Sequence, residues 1–300
     1  MKKKISLLLV ILLLLTTVGC AKKDEKKVVI ASKPMTEQFI LVEMLTTLIE
    51  EKTDIVVNQK MGIGGGTANI HPGMVNGEID IYPEYSGTGW LFVLKENLIN
   101  DPEELFKSVK EQYNTKYNIK WMEPYGFDNT FALVMDKDLA KELKIESYSD
   151  LVLQSDKLIF GAEYDFYERE DGLPGLKKLY PFNFEDEVEM DIGLKYEAIK
   201  NKKVDVINAF STDGLLMEYN LVVLKDDKYF FPSYKGATLV RNETLEKYPE
   251  LEEILKKMEN AISDEEMIYL NYLVDKENKD PKDVARDFLK EKGLIWALLK

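Results

Sequence analysis

Cysteine and histidine are nearly missing from this sequence, with one of each among 300 residues. A single cysteine excludes an intrachain disulfide, and the single histidine excludes a zinc site built from cysteine and histidine ligands. Basic residues are also outnumbered, because Lys and Arg total 40 against 54 Asp and Glu, which gives a net charge of −14. A chain this acidic repels polyanions, so nucleic acid is not an expected partner.

Catalytic motifs are equally scarce. The sequence contains no G-x-S-x-G elbow, no H-E-x-x-H helix and no recognisable pair of catalytic carboxylates, so we predict that the protein is not an enzyme. The glycine-rich run 61–67 lacks the G-K-[ST] ending of a phosphate-binding loop and is interpreted as a turn. No cofactor and no metal are therefore expected. Hydrophobic residues make up 45% and charged residues 31%, which is a globular composition with room for two domains.

A long apolar run occurs only near the N-terminus. Three lysines precede the apolar stretch Ile5–Leu15, and small residues lead to the lone cysteine, Cys20. This arrangement predicts a secretion signal over 1–19 and a charged tether over 20–27. The junction resembles a bacterial lipobox, although Thr17 stands where that motif usually has leucine, and the resemblance implies a lipid on Cys20. We expect a soluble body held outside the cell by this anchor.

Strands and helices alternate along the rest of the chain. Short apolar runs predict strands at Val28–Ala31, Ile55–Gln59 and Ile79–Tyr82, and the apolar spacing over Met35–Glu51 predicts a helix with Thr36 as its N-cap. Further strands are predicted at Phe131–Met135, Leu158–Ala162, Val204–Ala209 and Ala237–Arg241. This alternation is typical of an α/β fold with mainly parallel sheets.

A short internal repeat links the two halves of the chain. The segment Asn76–Ile81 is followed by Tyr85-Ser86, and Asn201–Val206 is followed at the same spacing by Phe210-Ser211. Each copy places an aromatic residue beyond the carboxyl end of a strand, where ligands bind in open α/β sheets. Either two lobes each present one aromatic ring to a shared cleft, or the pattern arises by chance in two similar strands.

Three motifs carry candidate polar ligands. Lys33 lies where a strand meets a helix N-terminus and suits an anion, unless it is an ordinary surface lysine. Thr88 closes the turn Tyr82–Thr88, which either presents polar groups to a ligand or packs as a plain surface turn. Arg169 could grip a carboxylate through two hydrogen bonds or pair with its acidic sequence neighbours.

Five motifs occur in one order from about Val28 onward: S-K-x-x-T-E-Q, G-E-I-D-I-Y-P-E-Y-S-G-T, E-R-E-D-G, S-T-D-G and L-K-D-D-K-Y-F-F-P-S-Y. Together they resemble the substrate-binding lipoproteins of osmoprotectant ABC importers, which take up glycine betaine, carnitine and choline. The resemblance implies a bilobal, periplasmic-binding-protein-like α/β fold of type II with two crossing segments. Lobe one would comprise 28–130 plus 235–300, and lobe two would comprise 131–234.

The resemblance also assigns a site. It implies an aromatic cage for a quaternary ammonium at Tyr85, Phe131, Phe210 and Tyr234, and a carboxylate site at Lys33, Thr88 and Arg169, with Asn129 near the cage. Two of the cage positions are usually tyrosine in the family and are phenylalanine here, which leaves the ring faces but removes two hydroxyls.

The implied partners are a small quaternary amine such as glycine betaine or carnitine, ABC permease subunits in the membrane, and the membrane itself through the lipid. We expect a monomer, and we expect a betaine to bind more tightly than choline, because choline offers the two basic groups no negative charge. One alternative is an amino-acid-binding protein, in which Asp213 or Glu84 would accept the ligand's ammonium. Another is a sensory or adhesive lipoprotein of the same fold.

Overall fold

The computed structural model of the chain describes residues 26–168, 172–191 and 194–296, apart from the side chain of Asp165. The predicted lipidation site Cys20 and the predicted carboxylate ligand Arg169 therefore lie outside the described residues. Within these three ranges, the model contains no helix with the length and apolar character needed to cross a membrane.

The described residues form two five-stranded sheets with helices between the strands. The strands are β1 (Lys27–Ala31), β2 (Val56–Lys60), β3 (Ile81–Tyr85), β4 (Ile119–Asp128), β5 (Phe131–Asp136), β6 (Ile159–Glu163), β7 (Asp186–Met190), β8 (Val206–Phe210), β9 (Leu221–Val223) and β10 (Lys235–Arg241). The helices are α1 (Thr36–Lys52), α2 (Thr67–Val75), the π-helical α3 (Thr88–Leu94), α4 (Pro102–Tyr117), α5 (Lys137–Leu143), α6 (Tyr148–Val152), α7 (Tyr164–Glu168), α8 (Leu173–Leu179), α9 (Lys195–Lys200), α10 (Leu215–Glu218), α11 (Asn242–Lys247), α12 (Glu250–Leu255), α13 (Asp264–Asp275) and α14 (Pro281–Glu291).

The two sheets have the same plan. Their strand orders are β2-β1-β3-β10-β4 and β7-β6-β8-β5-β9. In each sheet the first three strands are parallel, and the fourth runs antiparallel to both of its neighbours. The chain leaves the first sheet after β4 and returns to it at β10. This arrangement confirms the prediction of a bilobal α/β fold of the periplasmic-binding-protein kind.

Apolar clusters cover both faces of each sheet. One cluster packs α1, α13 and α14 against the first sheet, and a second covers the opposite face beneath α2 and α4. Two further clusters do the same for the second sheet. Because strands buried on both faces cannot shift without exposing apolar surface, the residues at their ends are held in fixed positions.

The start of α1 differs from the prediction. Met35 rather than Thr36 occupies the N-cap position, and its side chain makes no capping bond. The hydroxyl of Thr36 instead donates to Asp275 Oδ1 at 2.5 Å. The prediction of Thr36 as the N-cap was therefore wrong, because Thr36 is already the first helical residue, and its hydroxyl makes a tertiary contact with the end of α13.

Candidate ligand-binding cleft

The internal repeat places equivalent groups at the ends of equivalent strands. Asp80 pairs with β1, since its backbone N–H donates to Val29 O at 2.9 Å and its Oδ2 accepts from Val29 N at 2.8 Å. Asp205 makes the same two bonds with Ile159 at the start of β6, both at 2.8 Å. The repeat is thus a shared structural device that fixes two strands in register. Each of these strands, β3 and β8, ends on an aromatic residue.

The serines of the repeat hold the segments that connect the lobes. Ser86 Oγ donates to Ser233 O at 2.8 Å and accepts from Lys235 N at 3.0 Å. Ser211 Oγ donates to Asp128 O at 2.8 Å and accepts from Thr130 N at 3.0 Å. The two hydroxyls therefore form hydrogen bonds to backbone atoms of the segments that connect the two sheets.

Three of the four predicted cage rings meet at this junction. Phe131 and Phe210 are register partners on β5 and β8, and their rings stack with centroids 4.9 Å apart. Such cross-strand aromatic pairs are a normal source of sheet stability. The ring of Tyr234 lies edge-on to Phe131 at 6.5 Å. The carboxyl end of β8 and the two crossing segments thus supply one aromatic group.

The fourth predicted ring, Tyr85, is held by a buried carboxylate in the first turn of α1. The hydroxyl of Tyr85 donates to Glu37 Oε1 at 2.5 Å, and Asn129 Nδ2 donates to the same oxygen at 2.9 Å. The other oxygen, Oε2, accepts from Thr212 Oγ1 at 2.7 Å and from Asn271 Nδ2 at 3.3 Å. Glu37 therefore ties the first lobe to Thr212 of the second.

Burial raises the pKa of Glu37, and the four hydrogen bonds oppose that rise. Sequence reasoning missed this residue, although it belongs to the S-K-x-x-T-E-Q motif. A carboxylate in the first turn of a helix is a common stabilising feature, so its position alone gave no functional signal.

Lys33 is already paired in this structure. Its ammonium forms an ion pair with Glu84 and lies 4.7 Å from the centre of the Tyr85 ring. Glu84 is fully buried, and it also accepts from Thr67 Oγ1 at 2.7 Å and from Tyr82 OH at 3.2 Å. The positive charge of Lys33 is thus balanced within the first lobe. These contacts also engage Glu84, one of the two acceptors considered for an amino acid.

Thr88 lines a cavity of about 240 Å³ together with Tyr234, Gly65 and Gly87. At Gly87, the residue before Thr88, a Cβ would lie 2.6 Å from the Tyr234 ring. The turn that carries Thr88 therefore needs glycine at this position for the aromatic ring to pack against it.

A second cavity of about 370 Å³ lies beside the aromatic group. Its lining includes Phe210, Asn129 and Glu37, and also Asp213, which was the other candidate acceptor for an amino acid. Asp213 accepts from the hydroxyl of Tyr196 and from Phe210 N, the latter at 3.1 Å. Burial raises the pKa of Asp213, and the charge of nearby Lys195 opposes the rise.

Lys195 brings a buried charge to the second lobe. Its side chain is 1% exposed and pairs with Glu163 at 3.2 Å. Glu163 also accepts from Asn208 Nδ2 at 2.8 Å. Sequence reasoning missed this cluster, because its members come from β6, α9 and β8 and share no local pattern. In the three described ranges, no group of three histidine, cysteine, aspartate or glutamate side chains could hold a metal ion.

Comparison with known proteins gives consistent results. A family model described as the substrate-binding domain of ABC-type glycine betaine transport systems matches residues 26–291. The ergothioneine transport permease/ergothioneine binding protein of Helicobacter pylori is 45% identical over 264 residues, covering 88% of this chain and 47% of that protein. This chain therefore spans about half the length of that relative.

Two further proteins match this chain over most of their own length and most of its length. The carnitine transport binding protein of Listeria monocytogenes is 38% identical over 258 residues, which is 85% of this chain and 83% of that protein. A crystal structure described as a glycine betaine/carnitine/choline ABC transporter superposes with a TM-score of 0.84 at 36% identity, covering 90% of this chain and 99% of the other.

Proposed function

Because this chain belongs to the family of substrate-binding domains of ABC-type glycine betaine transport systems, we propose that it captures a quaternary ammonium carboxylate between its lobes. The observation that carries the proposal is the aromatic group in which Phe131, Phe210 and Tyr234 meet at the crossing segments. A trimethylammonium group has no N–H to donate, but each aromatic face attracts it by roughly 0.5–2 kcal/mol. Tyr85 completes the proposed cage.

The carboxylate of the ligand is assigned to Lys33, Thr88 and Arg169. Since Glu84 already balances the charge of Lys33, Arg169 would supply most of the attraction for the carboxylate. The proposed carboxylate site combines Lys33 and Thr88 from the first lobe with Arg169 from the second. A ligand that contacts both lobes favours the closed form over the open one, which is the differential contact that closure requires.

We keep the division into lobe one, 28–130 plus 235–300, and lobe two, 131–234, as part of this proposal. Its support is the membership of the two sheets, because β1 to β4 and β10 form one sheet and β5 to β9 form the other. The bonds of Ser86 and Ser211 to the crossing segments are consistent with hinges at those two places.

The remaining parts of the proposal concern location and partners. We propose a monomer outside the cytoplasm, held at the membrane by a lipid on Cys20, that delivers its ligand to ABC permease subunits. The Helicobacter pylori relative supports the last point, because its name joins a permease to a binding protein and its chain is about twice as long as the matched part.

Ergothioneine is a second candidate ligand. The relative named for ergothioneine shares 45% identity with this chain, against 38% for the relative named for carnitine. Ergothioneine is the betaine of a thiolated histidine, so it carries the same trimethylammonium and carboxylate groups as glycine betaine. The proposed cage and carboxylate site serve both ligands.

Titration calorimetry tests the proposal with glycine betaine, carnitine, proline betaine, ergothioneine, choline and common amino acids. We expect at least one betaine to bind more tightly than choline. Arg169→Ala should weaken that betaine by about 2–5 kcal/mol, the range for losing one partner of a desolvated charge pair. Tighter binding of choline than of every betaine would refute the carboxylate assignment, and binding of amino acids alone would refute the cage.

A further inference from the structure

A glycine of the second lobe lies directly against a helix of the first lobe. Gly214 immediately precedes α10, and a Cβ at this position would lie 2.6 Å from Tyr272 Cα and 2.7 Å from Asn271 C, which are backbone atoms of α13. The backbone of Gly214 itself is ordinary, with φ −61° and ψ −28°, a conformation that alanine also adopts. The close approach of the two lobes, rather than a special backbone conformation, is therefore what requires glycine here.

Polar contacts accompany this approach. Asn271 Nδ2 donates to Thr212 O at 2.9 Å, and both residues are buried. At the partly exposed rim, Lys276 at the end of α13 pairs with Glu218 of α10 at 2.7 Å. We call this contact between α13 and the segment 212–218 the α13 clasp. None of its residues is assigned to the proposed cage or to the proposed carboxylate site.

The other end of α13 is fixed at the crossing segments. Asp264, in the first turn of α13, accepts from the backbone N–H of Asp128 at 2.8 Å. The carboxylate of Asp128 in turn accepts from Ser233 Oγ and Tyr234 N, both at 2.6 Å. Tyr272 follows Asp264 by eight residues, which is roughly 12 Å of helix. A change in the angle between the lobes at the crossing segments would therefore displace the clasp, by about 1 Å for every 5° or so.

The clasp has no room for one added carbon atom. Carbon atoms pack at about 3.5 Å, so a Cβ on Gly214 would push the two lobes about 1 Å further apart. The obstructing atoms belong to the backbone of α13, so no change of side-chain rotamer could relieve the contact. A hydrogen bond of 2.9 Å, such as that from Asn271 to Thr212, would be lost at this separation.

We propose that the α13 clasp holds the two lobes in their closed arrangement before a ligand arrives, so that Gly214 sets the affinity for all ligands in common. This inference rests on the proposed function and on the proposed division into lobes. The apparent dissociation constant of a receptor is its intrinsic constant divided by the fraction that is in the binding-competent form. Loss of the clasp lowers that fraction, which weakens every ligand by the same factor and leaves their ranking unchanged.

Crosslinking of the ligand-free protein tests the clasp directly. Glu218→Cys and Lys276→Cys place one thiol on each side of it, and the ion pair that they replace contributes little because it is partly exposed. A short bismaleimide should join the two thiols within one chain, which changes its mobility on a denaturing gel. Addition of Gly214→Ala should slow this reaction at least fivefold. The two variants with a single introduced cysteine control for reaction with Cys20.

Calorimetry with glycine betaine, carnitine and ergothioneine then measures the effect on binding. Gly214→Ala should weaken each ligand that binds by the same factor, about 5- to 150-fold, the range for overpacking a close contact. The ratios between the affinities should stay within twofold of those of the original protein.

Gly161→Ala is the matched control. Its Cβ would lie 2.7 Å from Met190 Cε and 2.9 Å from Val204 Cγ1, so the same substitution overpacks the interior of the second lobe and does not touch the clasp. It should lower the midpoint of urea unfolding, yet leave the crosslinking rate and the affinities unchanged within twofold.

The outcomes separate the two proposals. Equal crosslinking rates with and without Gly214→Ala would overturn the clasp. A loss of affinity confined to one ligand would also overturn it, because Gly214 would then belong to the ligand site. If no quaternary ammonium compound binds the original protein, the proposed function fails, whereas crosslinking without ligand still supports or overturns the clasp.

Discussion

The ion pair between Lys33 and Glu84 predicts that Lys33 stabilises the fold more than it binds ligand. We consider Lys33→Met, which keeps an unbranched apolar stem and removes the charge. The side chains of Lys33 and Glu84 are 10% and 0% exposed, so the substitution would leave a carboxylate in the interior without its cation. Removing one partner of a buried pair destabilises a protein by about 3–5 kcal/mol.

The surroundings of Glu84 favour the lower end of that range. Its carboxylate also accepts from Thr67 Oγ1, from Tyr82 OH and from the backbone N–H of Tyr85, the last at 2.8 Å. These three donors continue to stabilise the charge when the lysine is gone, so we expect Lys33→Met to lower the free energy of unfolding by about 3 kcal/mol. The affinity for a betaine should fall by less than about tenfold, because the lost charge was already balanced.

Urea unfolding measures the change in stability of Lys33→Met, and calorimetry on the same samples measures the change in betaine affinity. The double variant with Lys33→Met and Glu84→Gln should recover most of the lost stability, since it removes the unpaired charge. Lys256→Met is the surface control, because Lys256 forms exposed pairs with Glu252 and Glu253 that should contribute little. Unaltered stability together with a hundredfold loss of betaine affinity in Lys33→Met would refute this reasoning and make Lys33 a main source of attraction for the carboxylate.

Three further predictions concern other parts of the chain. Phe131→Ala should weaken the binding of a betaine and of choline alike by about 2- to 30-fold. Phe210→Tyr should change either affinity by less than about threefold, because tyrosine keeps the ring face. Unchanged affinities in calorimetry on Phe131→Ala would contradict the cage. Burial raises the pKa of Glu37 above its ordinary 4.5, so the folded protein holds that proton more tightly than the unfolded chain, and stability should fall as pH rises through the raised pKa. Glu37→Gln should make this fall shallower in urea unfolding at pH values above 4.5, and identical pH slopes would contradict the assignment. Cys20→Ala should release the protein from membranes in cell fractionation, and normal processing with unchanged membrane retention would disprove the lipid anchor.

Most of the parallel strands could be predicted because each is short, apolar and followed by a helix. Three strands escaped prediction, and two of them, β4 and β7, have sequences that oppose strand formation, whereas β9 is apolar but only three residues long. β4 contains Pro124 and Gly126, which normally interrupt a strand. The structure accommodates them with irregular pairing between β4 and β10, and Gly126 adopts a φ of 121° that favours glycine. β7 lies at the edge of its sheet, where its charged residues are partly exposed and give no apolar run.

The candidate site was predictable where one residue type carries the chemistry. The repeat points to the rings of Tyr85 and Phe210, and the family resemblance adds Phe131 and Tyr234. Three of these four rings, those of Phe131, Phe210 and Tyr234, lie together in the structure. The network around Glu37 could not be found in this way. Asn271 donates across 234 positions of sequence, from α13 to the first turn of α1, and only the packing of those helices brings the two residues together.

The repeat would also couple the proposed cage to the proposed hinges. In each lobe the aromatic residue and the serine that follows it are adjacent, so one strand end carries both a proposed ligand contact and a bond to a crossing segment. Ser86 holds the segment that leads into β10, and Ser211 holds the one that leads into β5. A rotation of the lobes at these segments must therefore move Tyr85 and Phe210 with the strand ends to which they belong. Glu37 adds a direct bond between the lobes through Thr212, at the point where Tyr85 is also held. A ligand that fills the cage would thus act on the same residues that set the angle between the lobes, with no separate relay between binding and closure.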